Sequence, residues 1–88
     1  MQKISEELLA QARSGDETAN AAVIAHMMPA IQKGASLYQA PGLDREDIVQ
    51  EGLIGLFSAV RSYRPAAGVP FAAFAAACIR NAQQDACK

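Results

Sequence analysis

A short acidic segment carries the side chains best suited to chemistry. Asp47, Gln50 and Glu51 lie three and four residues apart, so on an α-helix they share one narrow face. Their carboxylate and amide oxygens can accept hydrogen bonds from basic side chains of a partner. Amphipathic helices also present such a face simply to solvent. Periodicity alone favours that simpler interpretation.

The opposite arc of the same segment is apolar and includes two glycines. It comprises Ile48, Val49, Gly52, Leu53, Gly55, Leu56, Ala59 and Val60. A glycine inside a helix costs about 1 kcal/mol relative to alanine, and the simplest physical reason for tolerating it is close approach of another helix. Ile54 and Ser58 complete the polar face, and Phe57 lies at the margin between the two faces.

The sequence contains no constellation of catalytic or metal-binding residues. His26 stands alone beside Pro29 without a carboxylate at ligand spacing, and no serine has a matching histidine. Cys78 and Cys87 lack the spacing of a metal site, so we expect reduced thiols in a cytosolic protein, with Cys78 as a small buried apolar residue. The chain is therefore predicted to be a non-enzyme without a cofactor.

Length and composition predict one folded all-α domain. The chain has 88 residues, half of them apolar, and is rich in alanine, which favours helices. A net charge of −1 excludes a strongly basic nucleic-acid footprint over the whole chain. No apolar run approaches the roughly 20 residues of a membrane span, and no signal peptide is recognisable.

Capping residues and apolar spacing predict a compact bundle of about four helices. Ser5, Asp16 and Asp44 each precede a helical pattern, and Pro70 suits the first turn of the last helix. Pro29 predicts a kink or break near residues 26–28, although the pattern resumes in phase and favours a kinked helix. We expect helices over residues 6–14, 17–38, 45–63 and 71–88, with loops at 39–42 and 64–68.

The stretch from Asp44 to Leu56 (DREDIVQEGLIGL) resembles the most characteristic sequence of region 2 of the sigma-70 family. That pattern places an acidic residue, two apolar residues and Gln-Glu-Gly before Ile-Gly-Leu. Further matches occur at Gly15-Asp16, Ala19, Ala59-Val60, Tyr63, Gly68, Phe71, Phe74-Ala75 and Ile79-Arg80. The resemblance covers nearly the whole chain, is closer to alternative sigma factors than to the primary factor, and implies one sigma region 2 domain over residues 1–88.

The resemblance implies that the helix carrying Gln-Glu-Gly binds the clamp coiled coil of the β′ subunit of core RNA polymerase. By motif position, the contact residues are Asp47, Gln50, Glu51, Leu53 and Phe57. Their polar groups can pair with basic side chains, while Leu53 and Phe57 add apolar area.

The resemblance also implies that the following helix recognises the promoter −10 element and holds its melted strand within the holoenzyme. The candidate DNA-binding residues are Phe71, Phe74, Arg80 and Lys88, because aromatic rings stack on bases and basic groups meet phosphates. This half departs more from the family pattern. Ala77 and Cys78 replace its paired tryptophans, and residues 83–85 (QQD) stand where apolar or basic residues are common. Core packing remains the alternative for each phenylalanine.

Two functions follow as hypotheses. The first is a sigma factor domain for polymerase binding, −10 recognition and melting in the cytoplasm, with an anti-sigma factor as a further conceivable partner and no membrane role. Its parent is expected to be longer, with a −35-binding region downstream of Lys88. The alternative is a sigma-like helical adaptor that docks on a protein without binding DNA, which the acidic balance and the missing tryptophans favour.

Overall fold

The computed structural model describes residues 4–64 and 68–88. Its helices are α1 (Glu6–Arg13), α2 (Glu17–Leu37), α3 (Arg45–Ser62) and α4 (Phe71–Ala86). Those two described ranges contain no β-strand, so the all-α prediction is confirmed, as is the loop at 39–42. The loop predicted at 64–68 lies partly outside the described residues.

Side-chain caps begin the first three helices where the sequence predicts them. The backbone N–H groups of Leu8, Ala19 and Asp47 donate to the side chains of Ser5, Asp16 and Asp44. Each cap satisfies a donor that has no partner within the helix. The start of α4 differs slightly from the prediction, because Pro70 is its N-cap residue and Phe71 opens the first turn.

The second helix runs through its proline. α2 extends over 21 residues and includes Pro29, which confirms one helix rather than two. Pro29 has no N–H to donate to the preceding turn. The kink near residues 26–28 stays a prediction.

The core lies where α2, α3 and α4 meet. Ile31, Ile48, Leu56 and Ile79 are at most 1% exposed, and α1 adds Leu9 and Ala12 at its edge. Burying one such aliphatic side chain stabilises the fold by about 1.5–3 kcal/mol. The apolar arc of α3 predicted from its periodicity is thus its packing face.

The close helix approach predicted at the α3 glycines is confirmed at Gly55. A Cβ atom added there would lie 2.7 Å from the backbone oxygen of Cys78 and 3.0 Å from the Cβ of Ala82. The backbone of α4 therefore passes so close to α3 that only glycine fits without a shift. This contact fixes the side of α3 that faces inward, and hence the side that faces out.

Candidate functional site

The outward side of α3 presents a mixed polar and apolar face. Asp47 and Gln50 are exposed, while Glu51 and Leu53 are partly buried. The large apolar side chains Ile54 and Phe57 are 59% and 41% exposed. Asp47, Gln50 and Phe57 thus lie with Ile54 on the exposed side of α3, Glu51 is partly exposed, and Leu53 packs partly against the core.

Asp47 has a structural role in addition to its exposed position. Its Oδ2 accepts a hydrogen bond from the backbone N–H of Asp44 at 3.0 Å, and its own N–H donates to Asp44 Oδ1 at 3.0 Å. This reciprocal pair is a capping box. By contrast, Gln50 and Glu51 make no side-chain hydrogen bond or ion pair with residues 4–64 and 68–88. Gln50 is exposed and Glu51 is partly exposed, so both can accept hydrogen bonds from another molecule.

Arg45 connects the start of this face to α2. Its guanidinium donates to Ser36 Oγ and to Gln32 Oε1, both at 2.7 Å. Several hydrogen bonds from one planar group hold the first turn of α3 in place. The sequence analysis did not single out Arg45, because a basic residue at a helix start carries no local signal for a partner on another helix.

An apolar groove borders the face next to Phe57. It has a volume of about 520 Å³ and runs between α1, α2 and α3. Its lining includes Ile24, Phe57, Val60 and Arg61. Arg13, Glu17 and Asn20 also line the groove, and an apolar centre with a polar rim is typical of protein-binding surfaces.

The two phenylalanines of α4 have different environments. Phe71 is only 4% exposed, and its ring meets that of Tyr63 edge to face, with centroids 5.3 Å apart and planes at 84°. Phe74 is partly exposed, with its centroid 5.7 Å from that of Tyr63. The core-packing alternative therefore describes Phe71 in this structure, whereas Phe74 presents part of its ring at the surface.

The predicted basic groups do not join this aromatic cluster. Arg80 is exposed and lies about 120° around α4 from Phe74, given 100° per residue. It lines a separate groove of about 390 Å³ between α2 and α4, together with Lys33. Lys88 Nζ lies 3.2 Å from Asp85 Oδ1, and both side chains are largely exposed. Such a surface pair contributes little to stability.

Gln83 is the residue that sequence analysis missed. It is completely buried, although it stands in the polar run at the end of α4. Its four-residue spacing from Phe71, Ala75 and Ile79 places it on the buried face of α4, a signal that its polar side chain obscured. The next residue, Gln84, is exposed and donates to the Tyr38 hydroxyl at 3.1 Å.

The cysteines and acidic residues form no metal centre in the part of the chain described. No group of three or more His, Cys, Asp or Glu side chains gathers there. Cys78, predicted to be buried, is partly buried, and this burial raises the pKa of its thiol. Among the described helices, none is long and apolar enough to cross a membrane.

The chain is similar to curated sigma factors over most of its length. It is 38% identical over 74 residues to the RNA polymerase sigma-H factor of Bacillus licheniformis, covering 84% of this chain and 33% of that protein. The sigma-H factor of Bacillus subtilis (strain 168) is 36% identical over 74 residues, covering 84% and 34% of the two chains. The sigma-K factor of the same strain is 35% identical over 75 residues, covering 85% and 24%.

The chain spans about a third of the length of the sigma-H factors it matches. No solved structure matches the chain significantly. The model of sigma-70 region 2 matches residues 23–88, a range that contains all of α3 and α4 and most of α2. The exposed face and the glycine-containing packing side of α3 both fall inside this match. Because the family match covers three quarters of the 88 residues, the chain belongs to the sigma-70 family as a region 2 domain.

Proposed function

We propose that this domain binds core RNA polymerase through the exposed face of α3 and takes part in promoter −10 recognition and melting during transcription initiation. The observation that carries the proposal is the exposure of Gln50, Ile54 and Phe57 on a helix whose other side is the core. Membership of the sigma-70 family supports the choice of partner. The domain would act in the cytoplasm, as a non-enzymatic factor.

The chemistry of the α3 face suits a basic helical partner. Glu51 and Gln50 offer acceptors that have no side-chain partner among the described residues, and Asp47 adds a second carboxylate at the helix start. Leu53 and Phe57 supply apolar area beside them. We assign the partner surface to the clamp helices of the β′ subunit, where arginine and lysine would meet the carboxylates and apolar side chains would cover Phe57.

Charge reversal tests the docking surface. Gln50→Lys and Glu51→Lys, made together, should weaken binding to a purified β′ clamp segment by tenfold or more, on the order of 1.4 kcal/mol. Binding by the unchanged chain should fall as salt is raised, because exposed charges are screened. Fluorescence anisotropy with a labelled clamp segment gives both affinities.

Glu7→Lys on α1 is the matched control for this experiment. It reverses one exposed carboxylate away from α3 and should leave the affinity nearly unchanged. Glu51→Lys made alone changes the net charge by the same amount as Glu7→Lys, so equal weakening by these two single variants would mean that net charge, rather than this face, drives association. Absence of binding by the unchanged chain would overturn the proposal.

For promoter DNA, we assign stacking to Phe74 and phosphate contacts to Arg80 and Lys88, with Phe71 supporting the aromatic cluster from the core. Phe74 and Arg80 are accessible on α4, and aromatic stacking contributes about 1–3 kcal/mol per base. In the presence of polymerase core, Phe74→Ala and Arg80→Ala should weaken binding to a labelled single-stranded −10 oligonucleotide. Phe71→Ala should act mainly by destabilising the fold.

A helical adaptor that docks on polymerase without binding DNA is the second candidate. It is favoured by the burial of Phe71, which removes one ring from the accessible surface of α4, and by the Asp85 carboxylate beside Lys88, which offsets the charge of that exposed lysine. The same oligonucleotide experiment separates the two functions. Unchanged affinity for the oligonucleotide in Phe74→Ala and Arg80→Ala would favour the adaptor.

A further inference from the structure

A buried amide joins three helices at the back of the α3 face. Gln83 is 0% exposed, and its Nε2 donates to the backbone oxygen of Ile31 in α2 at 3.0 Å and of Ile48 in α3 at 3.2 Å. Ile48 directly follows Asp47 in the first turn of α3. One side chain of α4 thus bonds to the turn from which the acidic face begins.

Two glycines make room for this amide. A Cβ atom added at Gly34 would overlap Gln83 Oε1, and one added at Gly52 would lie 2.8 Å from Nε2. Gly34 belongs to α2 and Gly52 to α3, so each of these helices leaves space for the amide where a side chain would otherwise stand. The amide fills the space that the missing side chains leave, which gives α4 a defined position along both neighbours.

The amide has only one favourable orientation. Both backbone partners are acceptors, so Nε2 must face them. Oε1 then points the other way, where it is buried and makes no hydrogen bond with the described residues. A buried carbonyl without a donor is unfavourable. Packing alone would therefore favour an apolar side chain of similar length at this position.

We propose that Gln83 is a positioning residue that sets the register of α4 on the first turn of α3. It would thereby hold the polymerase-facing helix and the promoter-facing helix in one relative orientation, a role that rests on the function proposed above. The directional bonds to Ile31 and Ile48 are what an apolar residue of the same size lacks. Arg80, one turn before Gln83, is placed by the same register.

A double-mutant cycle tests the geometry without any partner. Gly34→Ala should displace the Gln83 amide, and Gln83→Ala should leave a cavity, so each change alone destabilises the chain. In the double variant, the methyl group at position 34 occupies the space that the Gln83 amide has left. The double variant should be clearly more stable in urea unfolding than the sum of the single effects predicts. Additive effects would overturn the proposed fit.

Gly55→Ala provides the control for the cycle. Its added methyl group meets the backbone oxygen of Cys78 rather than the Gln83 amide, so Gln83→Ala should not rescue it. Rescue of Gly55→Ala to the same extent as Gly34→Ala would mean that Gln83→Ala loosens the whole helix interface. The specific pairing of Gln83 with Gly34 would then be wrong.

Gln83→Met separates positioning from packing. Methionine is unbranched and of similar length, but it donates no hydrogen bond to Ile31 or Ile48. In conditions where circular dichroism shows the variant folded, its affinity for the β′ clamp segment should fall at least about threefold. Unchanged affinity would mean that Gln83 contributes packing alone and does not position the helices. If the unchanged chain does not bind the segment, the function proposed above fails, and the double-mutant cycle still decides the geometry.

Discussion

Arg13 Nε in α1 donates a hydrogen bond of 2.7 Å to the backbone oxygen of Val60 in α3. The same guanidinium donates through Nη2 to the backbone oxygen of Tyr63, which follows the end of α3. A helix end leaves carbonyl oxygens without intrahelical donors and carries partial negative charge. Arg13 therefore caps α3 from another helix and attaches the short α1 to the bundle.

Removing this cap should lower stability. Arg13→Ala leaves two carbonyl oxygens without their charged donor, and we expect a loss of about 1.5–3 kcal/mol in the free energy of unfolding. Arg13→Lys keeps the charge, but its single ammonium cannot reproduce the two-pronged geometry, so it should recover only part of the loss. Urea titration followed by circular dichroism measures both. Equal stability of all three proteins would contradict the capping role.

The capping box at the start of α3 should have a measurable effect. Asp44→Ala removes the acceptor for the Asp47 N–H and should cost about 0.5–2 kcal/mol of unfolding free energy. Asp44→Ser retains a capping oxygen and is expected to restore most of the loss. Thermal unfolding of the two variants compares them directly. A serine variant as unstable as the alanine variant would show that the hydrogen bond is not the source of the effect.

Gly55 should tolerate no side chain. Gly55→Ala directs a methyl group at the backbone of α4 near Cys78, and because backbone cannot rotate away, α4 must shift. Overpacking should cost about 1–3 kcal/mol and the helix-propensity gain should return about 1 kcal/mol, so we expect a net loss of up to about 2 kcal/mol. Ser58→Ala, on the exposed side of the same helix, should be neutral or slightly stabilising. Urea unfolding of both variants tests the contrast.

The thiol of Cys78 should become reactive at a higher pH in the folded chain than in the unfolded chain. Burial disfavours the thiolate and raises the pKa above its ordinary value of 9.0. The folded state favours the protonated thiol. The stability that Cys78 contributes is therefore complete below its pKa in the unfolded chain and is lost as pH rises through its pKa in the folded chain.

In a Cys87→Ser background, the rate of iodoacetamide labelling should have its midpoint above pH 9.0 in the folded chain. In urea the midpoint should be lower, since unfolding removes the burial. Mass spectrometry follows the labelled fraction. Identical midpoints in the two conditions would contradict the effect of burial.

The helices and the α3 face were predictable because their causes are local. Ser5, Asp16 and Asp44 cap helices through N–H groups three residues away. The two sides of α3 follow from a repeat of 3.6 residues, so the exposure of Gln50 required no knowledge of the neighbouring helices. The glycines of α3 predicted the close approach of another helix, although the sequence did not identify which helix.

The tertiary structure alone decided which groups the buried residues of α4 contact. Gln83 bonds to carbonyl groups 52 and 35 residues away, and Phe71 is covered by Tyr63 across the α3–α4 connection. The four-residue spacing of Phe71, Ala75, Ile79 and Gln83 places Gln83 on the buried face of α4. The room for a buried amide there depends on Gly34 and Gly52 in two other helices. The sequence by itself determined the four helices and the outward face of α3, whose interactions span three or four residues. The position of α4 against α2 and α3, which places the Gln83 amide beside Gly34 and Gly52, depended on contacts between distant segments.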